Sequence, residues 1–374
     1  MKFLAPYFVY ALSHAILQTV AIISPPLRSL IRNQKMLSSS VLVIEAGERG
    51  WDSIEFKELY KSATEFLGSH SVHRLIVKRE LDYLSQIKEL ITSNPSITHY
   101  LYDPRTYRAE GDQNFWNAIA DSLSVAILLR RHGITPIAYL TNIGYRLWRC
   151  QAAIVTSKNG LVVSFMSAKF GREMFPHDRI VGPMIFPISL DKLKELSALR
   201  NDLERSNAID KRVRFTGSIY EPRTQFLNEF AIKMQSRADI HGRPAGSVRK
   251  RDTEYWNLLA SAAINITTAD QVIEPGADEN NIKHMVYRYL EVLASGSLLL
   301  APSLPGIESY FLPNVHFVDY NSVDEACEKA MYYLENTEKA NSIRFEGHKK
   351  ARALIESNAF WLQINSALGP SGFY

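Results

Sequence analysis

Short apolar runs alternate with amphipathic stretches along this chain. Val41-Leu42-Val43-Ile44 follows the polar stretch Ser38-Ser39-Ser40 and breaks into a loop holding Gly47 and Gly50, the pattern of a parallel strand buried on both faces. Further runs stand at Leu75-Ile76-Val77, Tyr100-Leu101-Tyr102, Ile137-Ala138-Tyr139-Leu140 and Ala153-Ile154-Val155, each read as a strand. Between Gln113 and Arg131 the residues Phe115, Ile119, Leu123, Ala126, Ile127 and Arg130 recur at helical spacing until Gly133 stops the segment. Strand and helix alternating in this way predict a parallel sheet with helices on both faces.

A charged, helix-prone segment from Asp191 to Arg212 leads into a second series of the same kind. Its expected strands are Val213 to Thr216, Ile264 to Thr267, Leu298 to Ala301 and His316 to Val318, with helices starting near Pro222, Asp252, Ile282, Ile307 and Ser322. The tail from Glu338 to Asn365 reads as helical and is long enough to cross back onto the first domain. The chain therefore divides into an apolar N-terminal helix over 1–37, an α/β domain over 38–200 and a second α/β domain over 201–374, with no internal repeat.

At 374 residues and 46% hydrophobic, the chain is long enough for two ordinary cores. The balance of 43 Lys plus Arg against 39 Asp plus Glu gives +4, a mild excess that suits phosphate-bearing ligands or an anionic membrane surface and is too weak to argue for nucleic acid. Cys150 and Cys327 have no metal-ligand spacing around them, so neither a disulfide framework nor a zinc site is indicated and a reducing compartment is the simpler assumption. From Phe3 to Ile23 there is no charged residue, and about 20 apolar residues span a bilayer as a helix. Pro6, Ser13, His14, Gln18 and Thr19 lower its hydrophobicity, so a span, an interfacial helix and a docked terminal helix all stay open. A cleavable signal peptide fits poorly, because no small-x-small site follows and only Lys2 supplies a positive start. Arg28, Arg32 and Lys35 outnumber Lys2, which puts the folded part in the cytoplasm, free or attached to the cytoplasmic face of a membrane.

The helix expected from Ile282 to Ser295 carries the most chemistry. Ile282, Met285, Val286, Tyr289, Leu290 and Leu293 form one apolar stripe, while His284, Arg288, Glu291 and Ser295 share a polar face. An arginine and a carboxylate there suit a phosphate and a ribose hydroxyl, against the plainer alternative of an ion pair on a solvated face. Gly296 ends the helix, a buried strand follows, and Pro302-Ser303-Leu304-Pro305-Gly306-Ile307-Glu308 is the loop beyond it, where ligands bind in open α/β sheets. Backbone amides at the helix expected after Gly306 are placed for a diphosphate oxygen. Thr216-Gly217-Ser218 repeats the arrangement, with Arg223 a short turn later, and Arg243, Arg249, Lys250 and Arg251 add cationic charge.

Several of these segments together resemble a known family. Val213-Arg-Phe-Thr-Gly-Ser-Ile-Tyr-Glu-Pro-Arg223, His241-Gly-Arg243, Tyr255-Trp256, Tyr287-Arg-Tyr-Leu-Glu-Val-Leu-Ala-Ser-Gly-Ser-Leu-Leu-Leu-Ala301 and Gly347-His348 resemble, in order, the C-terminal domain of GT-B fold glycosyltransferases of the group-1-like branch that includes CgeB-like enzymes. The resemblance implies two Rossmann-like domains with a cleft between them, and a nucleotide-sugar donor bound by the second domain. It places the donor ribose on Glu291 with Arg288 beside it, and the phosphate-facing loops at Gly217 and Gly306; Ser218, Glu308, Arg223 and Arg243 join the expected donor-binding set from their loop positions and charge. It also implies a metal-independent hexosyltransferase with no cofactor beyond the donor as co-substrate. Many relatives carry two glutamates eight apart here, whereas the position eight before Glu291 is Lys283, which leaves sugar identity and stereochemistry open.

The first domain offers no matching motif. A general base facing an acceptor hydroxyl belongs on a loop beyond a strand, which selects Asp103 first and Glu48 second. The nearest thing to a metal-binding pair is Asp278-Glu279, in a loop of the second domain. The expected activity is transfer from a nucleotide-diphosphate sugar to a hydroxyl of a glycan or lipid-linked saccharide. The alternatives are a sugar-nucleotide epimerase of the same plan and a non-catalytic protein that binds a sugar nucleotide or glycan.

Overall fold

In a computed structural model, residues 40–373 are described apart from 79, 108–114, 141–145, 158, 166–178, 222, 245–250 and 270–283. The chain divides into two units, one running to Met184 and taking in Trp361–Tyr374, the other spanning Ile185–Val272 and Asn280–Phe360.

The first unit is built on a six-stranded parallel sheet. Its strands are β1 (Val41–Gly47), β2 (Val72–Val77), β3 (Ile97–Tyr102), β4 (Thr135–Leu140), β5 (Leu161–Ser164) and β6 (Ile180–Val181), in the order β2-β1-β3-β4-β5-β6. Val41 to Ala46 are all buried, as a strand covered on both faces requires. Its helices are α1 (Glu48–Trp51), α2 (Ile54–Leu67), α3 (Tyr83–Ser93), α4 (Phe115–Arg131) and α5 (Arg146–Thr156). Ser53 caps α2 by accepting from the amide of Phe56 at 3.3 Å, and Asp82 caps α3 by accepting from Ser85 at 2.8 Å.

One apolar run changes its assignment. Ala153-Ile154-Val155 is the end of α5, and Cys150 and Ile154 pack with Ala126 of α4. Three apolar residues in a row suit a helix buried on most sides as well as a strand. The strand is Leu161–Ser164, entered through Gly160, where a Cβ would stand 2.5 Å from the Thr156 Cα and 2.8 Å from the Pro136 carbonyl oxygen.

The second unit holds a five-stranded parallel sheet of β7 (Asp210–Ile219), β8 (Ala238–Pro244), β9 (Ala262–Ile266), β10 (Leu298–Pro302) and β11 (Val318–Tyr320), ordered β11-β10-β9-β7-β8. Val213, Phe215, Ile264, Ile266, Leu298, Leu300 and Val318 join Leu227, Phe230 and Met234 in its core. Its helices are α6 (Leu190–Arg205), α7 (Arg223–Met234), α8 (Asp252–Ser261), α9 (Arg288–Ala294), α10 (Val323–Glu335) and α11 (Thr337–Glu356).

The boundary falls before α6, so the helix assigned by sequence mostly to the first domain belongs to the second. Leu193, Leu196 and Arg200 are buried, and Arg200 donates to the carbonyls of Ala260 at 2.8 Å and Ala262 at 3.0 Å. Strand β8 had no expectation attached to it: it lies at the sheet edge, half-exposed along its length, and lacks an apolar run. The last strand starts at Val318, because His316 is still in a turn, with its amide donating to Leu312 at 2.9 Å. Helix α9 begins at Arg288, so His284 is outside it, while Ile282 and Lys283 lie outside the described residues. Gly347 of α11, at which a Cβ would stand 2.2 Å from the His316 carbonyl oxygen, and His348, whose Nδ1 is 3.0 Å from the Leu293 carbonyl, pack this helix against its neighbours.

The final helix, α12 (Ala359–Leu368), carries the chain onto the first unit. There Trp361 donates from Nε1 to the Ser62 hydroxyl at 3.0 Å, and Arg179 donates from Nη2 to the Leu368 carbonyl at 2.7 Å.

Candidate functional site

The second sheet presents its carboxyl ends at Gly217-Ser218, Thr267-Thr268-Ala269 and Ser303-Leu304. Two tyrosines pin these ends: Tyr320 donates to the Thr267 carbonyl at 2.6 Å and Tyr289 donates to the Pro302 carbonyl. Strand ends held in this way give the side chains beyond them a fixed frame.

Helix α9 supplies the first cluster. Glu291 is 3% exposed, accepts from the Tyr255 hydroxyl at 2.7 Å, and pairs with Arg288 Nε at 3.6 Å. The Arg288 guanidinium carbon lies 5.2 Å from the centre of the Tyr255 ring. A Cβ at Gly217 would come 3.1 Å from Arg288 Nη2 and 3.3 Å from Phe215 Cζ. Ser295 is fully buried, its hydroxyl donating to the Val292 carbonyl at 2.8 Å. The polar face of the sequence is therefore an enclosed cluster that brings Gly217, Tyr255, Arg288 and Glu291 together, and the solvated ion pair is ruled out by burial. Gly217→Ala is expected to displace the guanidinium and lower affinity for a phosphate-bearing ligand about tenfold, while the melting temperature moves by only a few degrees. Parallel titration and thermal melts of the variant check this.

A second cluster surrounds Arg223 at the start of α7. It is 8% exposed, donates from Nε to Thr268 Oγ1 at 2.7 Å and from Nη1 to the Ser218 carbonyl at 2.9 Å, and lies over the Tyr220 ring at 4.4 Å. His284 stands beyond Thr268: its backbone N–H and its ring Nδ1 both meet the Ala269 carbonyl, at 3.0 and 3.1 Å. Burial, and then the charge of Arg223, push the His284 pKa down to about 3, against the weaker pull of that carbonyl. The ring is neutral at physiological pH.

The remaining expected residues are more scattered. Arg243 is on β8, in register with Ser218 of β7. Arg249 and Lys250 lie outside the described residues, and Arg251 is exposed at the N-cap of α8. The helix expected after Gly306 is a single 3-10 turn, Ile307–Ser309. The amides of Ile307 and Ser309 already donate to Leu304 at 3.1 Å and Gly306 at 3.2 Å, so the turn does not offer the amides of a helix start. Gly306 makes the turn with φ of 88°, and Glu308 is exposed.

In the first unit, Asp103 is 2% exposed at the end of β3 and accepts from the backbone N–H and from Nε of Arg105, both at 3.0 Å. Arg105 lies 5.1 Å from the ring centres of both Phe56 and Tyr139. The carboxylate is thus already engaged by a guanidinium and an amide. Glu48 is exposed in the first turn of α1, and Glu45 is enclosed in β1, accepting from the hydroxyls of Tyr83 at 2.9 Å and Tyr100. Among the described residues no group of three or more His, Cys, Asp or Glu is gathered as a metal ion would need, and Asp278 and Glu279 lie outside them. Among the same residues no helix is long and apolar enough to cross a membrane, and the run Phe3 to Ile23 lies outside them.

Two parallel-sheet α/β units of this kind are the architecture of the GT-B glycosyltransferases, and the chain has that fold. Residues 211–361, which hold the second sheet from the second residue of β7 onward and both clusters, match the family described as Glycosyl transferase-like. Among solved structures the chain is similar to Anabaena HepE in complex with UDP-glucose, at 12% identity and a TM-score of 0.52, over 89% of this chain and 100% of that one. It is also similar to a sucrose-phosphate synthase from Thermosynechococcus elongatus, at 11% identity and a TM-score of 0.53, over 88% of this chain and 98% of that one. A glycosyltransferase from Rickettsia africae matches at 13% identity and a TM-score of 0.52, over 90% of this chain and 98% of that one. No curated protein sequence matches the chain.

Proposed function

We propose that this protein transfers a hexosyl group from a nucleoside-diphosphate sugar to a hydroxyl of a glycan or lipid-linked saccharide, without a metal ion. The observation that carries this reading is the joining of Arg288, Glu291 and Gly217 at the carboxyl edge of the second sheet, within the segment that matches a glycosyl transferase-like family. Glu291 accepts from the donor ribose, while Arg223 and Arg288 meet the diphosphate and stabilise the negative charge that grows on it as the glycosidic bond breaks. Two fixed guanidinium groups supply the electrostatic role that a bound cation plays in other transferases. HepE, solved with UDP-glucose, supports a uridine nucleotide as the first donor to try.

Glu48 is the better candidate for the base, because its carboxylate is exposed whereas Asp103 is held by Arg105. A pI of 8.8 and the uncharged run from Phe3 to Ile23 support a lipid-linked acceptor at the cytoplasmic face of a membrane. Deleting Met1 to Gln34 is expected to abolish co-sedimentation with anionic vesicles while leaving donor binding intact. Full retention on vesicles would remove that support.

The test of the activity is release of nucleoside diphosphate from UDP-, GDP- and dTDP-sugars in EDTA, with and without a lipid-linked saccharide extract. Acceptor-dependent release from one nucleotide class supports transfer. Conversion of donor to another sugar nucleotide without acceptor would instead identify an epimerase, and tight binding without turnover a non-catalytic binding protein.

A further inference from the structure

His284 is the side chain at this sheet edge that the proposed donor contacts leave unused, and its surroundings fix what it can bind. Its backbone N–H and its Nδ1 converge on one oxygen, the Ala269 carbonyl, at 3.0 and 3.1 Å. Two bonds to one oxygen hold the ring against the end of β9. A carbonyl oxygen can only accept, so the proton of the imidazole is on Nδ1 and Nε2 keeps a bare lone pair. Nothing among the described residues donates to Nε2, although the ring is only partly enclosed.

Protonation does not change this assignment near neutral pH. Burial and the nearby charge of Arg223 hold the ring neutral, with a pKa of about 3. The site thus pairs a fixed cation, tied through Arg223 to Ser218 and Thr268, with a fixed neutral acceptor, the His284 ring, held at the Ala269 carbonyl one residue beyond Thr268. Their chemistries are complementary. The guanidinium suits a phosphate oxygen, and Nε2 cannot take one, because both would be acceptors. What Nε2 suits is a hydroxyl attached close to a phosphate.

We propose that Nε2 of His284 accepts a hydrogen bond from a hydroxyl of the sugar carried by the nucleotide donor, and so discriminates the sugar nucleotide from the free nucleoside diphosphate. The ribose hydroxyls are met by Glu291, which leaves the hexosyl group on the far side of the diphosphate as the source of this donor. The inference rests on the donor-binding reading of the same sheet edge.

Titration calorimetry of the full chain with UDP and UDP-glucose, and with GDP and GDP-mannose, tests it in two variants. His284→Ala removes both ring contacts, whereas His284→Asn keeps an N–H for the Ala269 carbonyl and removes only the acceptor at the ε position. Both variants are expected to bind the sugar nucleotide five- to tenfold more weakly than the native protein while binding the free diphosphate within about twofold of it. Equal loss for diphosphate and sugar nucleotide, or full affinity for both in His284→Asn, overturns the proposal and leaves the donor site standing. Native protein that binds neither nucleotide pair overturns the donor site and this proposal with it.

Discussion

Glu291→Gln is expected to leave the protein folded and to weaken sugar-nucleotide binding by roughly 10- to 100-fold, the value of one or two hydrogen bonds to a charged acceptor. The amide oxygen still accepts from Tyr255, and the side chain keeps its volume at a position that is 3% exposed. What is lost is the negative charge facing Arg288 at 3.6 Å and, with it, the proposed charge-assisted bond to a ribose hydroxyl. Glu291→Ala is expected to do more, since it leaves the Tyr255 hydroxyl and a largely enclosed guanidinium without their shared carboxylate. A cost of about 3 kcal/mol follows from breaking a buried pair on one side only. Calorimetry on the Gln variant and thermal melts on the Ala variant separate the two effects. Full donor affinity in Glu291→Gln would remove the carboxylate from the binding account.

Trp361→Ala should be the most destabilising single change in the first unit. The indole is fully buried, stacks on Phe66 at a centroid distance of 6.4 Å, meets Phe373 edge-on at 6.2 Å, and donates to Ser62 at 3.0 Å. Truncation of a buried tryptophan costs about 3–5 kcal/mol, which for a unit of this size lowers the melting temperature by roughly 10 °C. Trp361→Phe keeps the stacking and drops the N–H bond, so its cost is expected near 1–2 kcal/mol. Calorimetric scans of both variants check the ranking. A Trp361→Ala protein that melts with the native one would mean that the C-terminal tail contributes little to this unit.

The parts of this architecture that were legible in the sequence share a physical cause. Strands covered on both faces need contiguous apolar side chains, so β1, β3, β4, β9 and β10 stand out at Val41, Tyr100, Ile137, Ile264 and Leu298. Edge strand β8 is half-exposed and has no such need, and it leaves no comparable trace. Ala153 to Val155 misled because helix α5 is buried against α4 and is as apolar there as a strand. The boundary near residue 200 missed α6 because its surface is charged while its few buried contacts, those of Arg200 among them, go to backbone carbonyls about 60 residues away.

The site was legible to a different depth. The Arg288 to Glu291 spacing announced a shared face on one helix, since neighbours three apart meet on it. That Tyr255 closes the same cluster from another helix depends on the packing of α8 against α9, and no local pattern in the chain encodes it. Helical spacing puts His284 on the polar face of a helix that begins only at Arg288. The role proposed for it depends on a carbonyl fifteen residues earlier, which fixes its tautomer and leaves Nε2 without a donor among the described residues. The Gly347-His348 pair shows the converse: a motif that carries the family resemblance and that serves helix packing in the fold.

On the proposed reading, the carboxyl edge of the second sheet binds a nucleoside diphosphate through Arg223, Arg288 and Glu291. A thermal-shift screen of the full chain against UDP-, GDP- and dTDP-sugars, with Arg223→Ala and Glu291→Gln beside the native protein, tests it most directly. A ligand at 100 times its dissociation constant adds about 2.7 kcal/mol of apparent stability. The expected result is a shift of several degrees with one nucleotide class that shrinks in both variants. No shift with any of the three classes from folded native protein, or an undiminished shift in both variants, would contradict it.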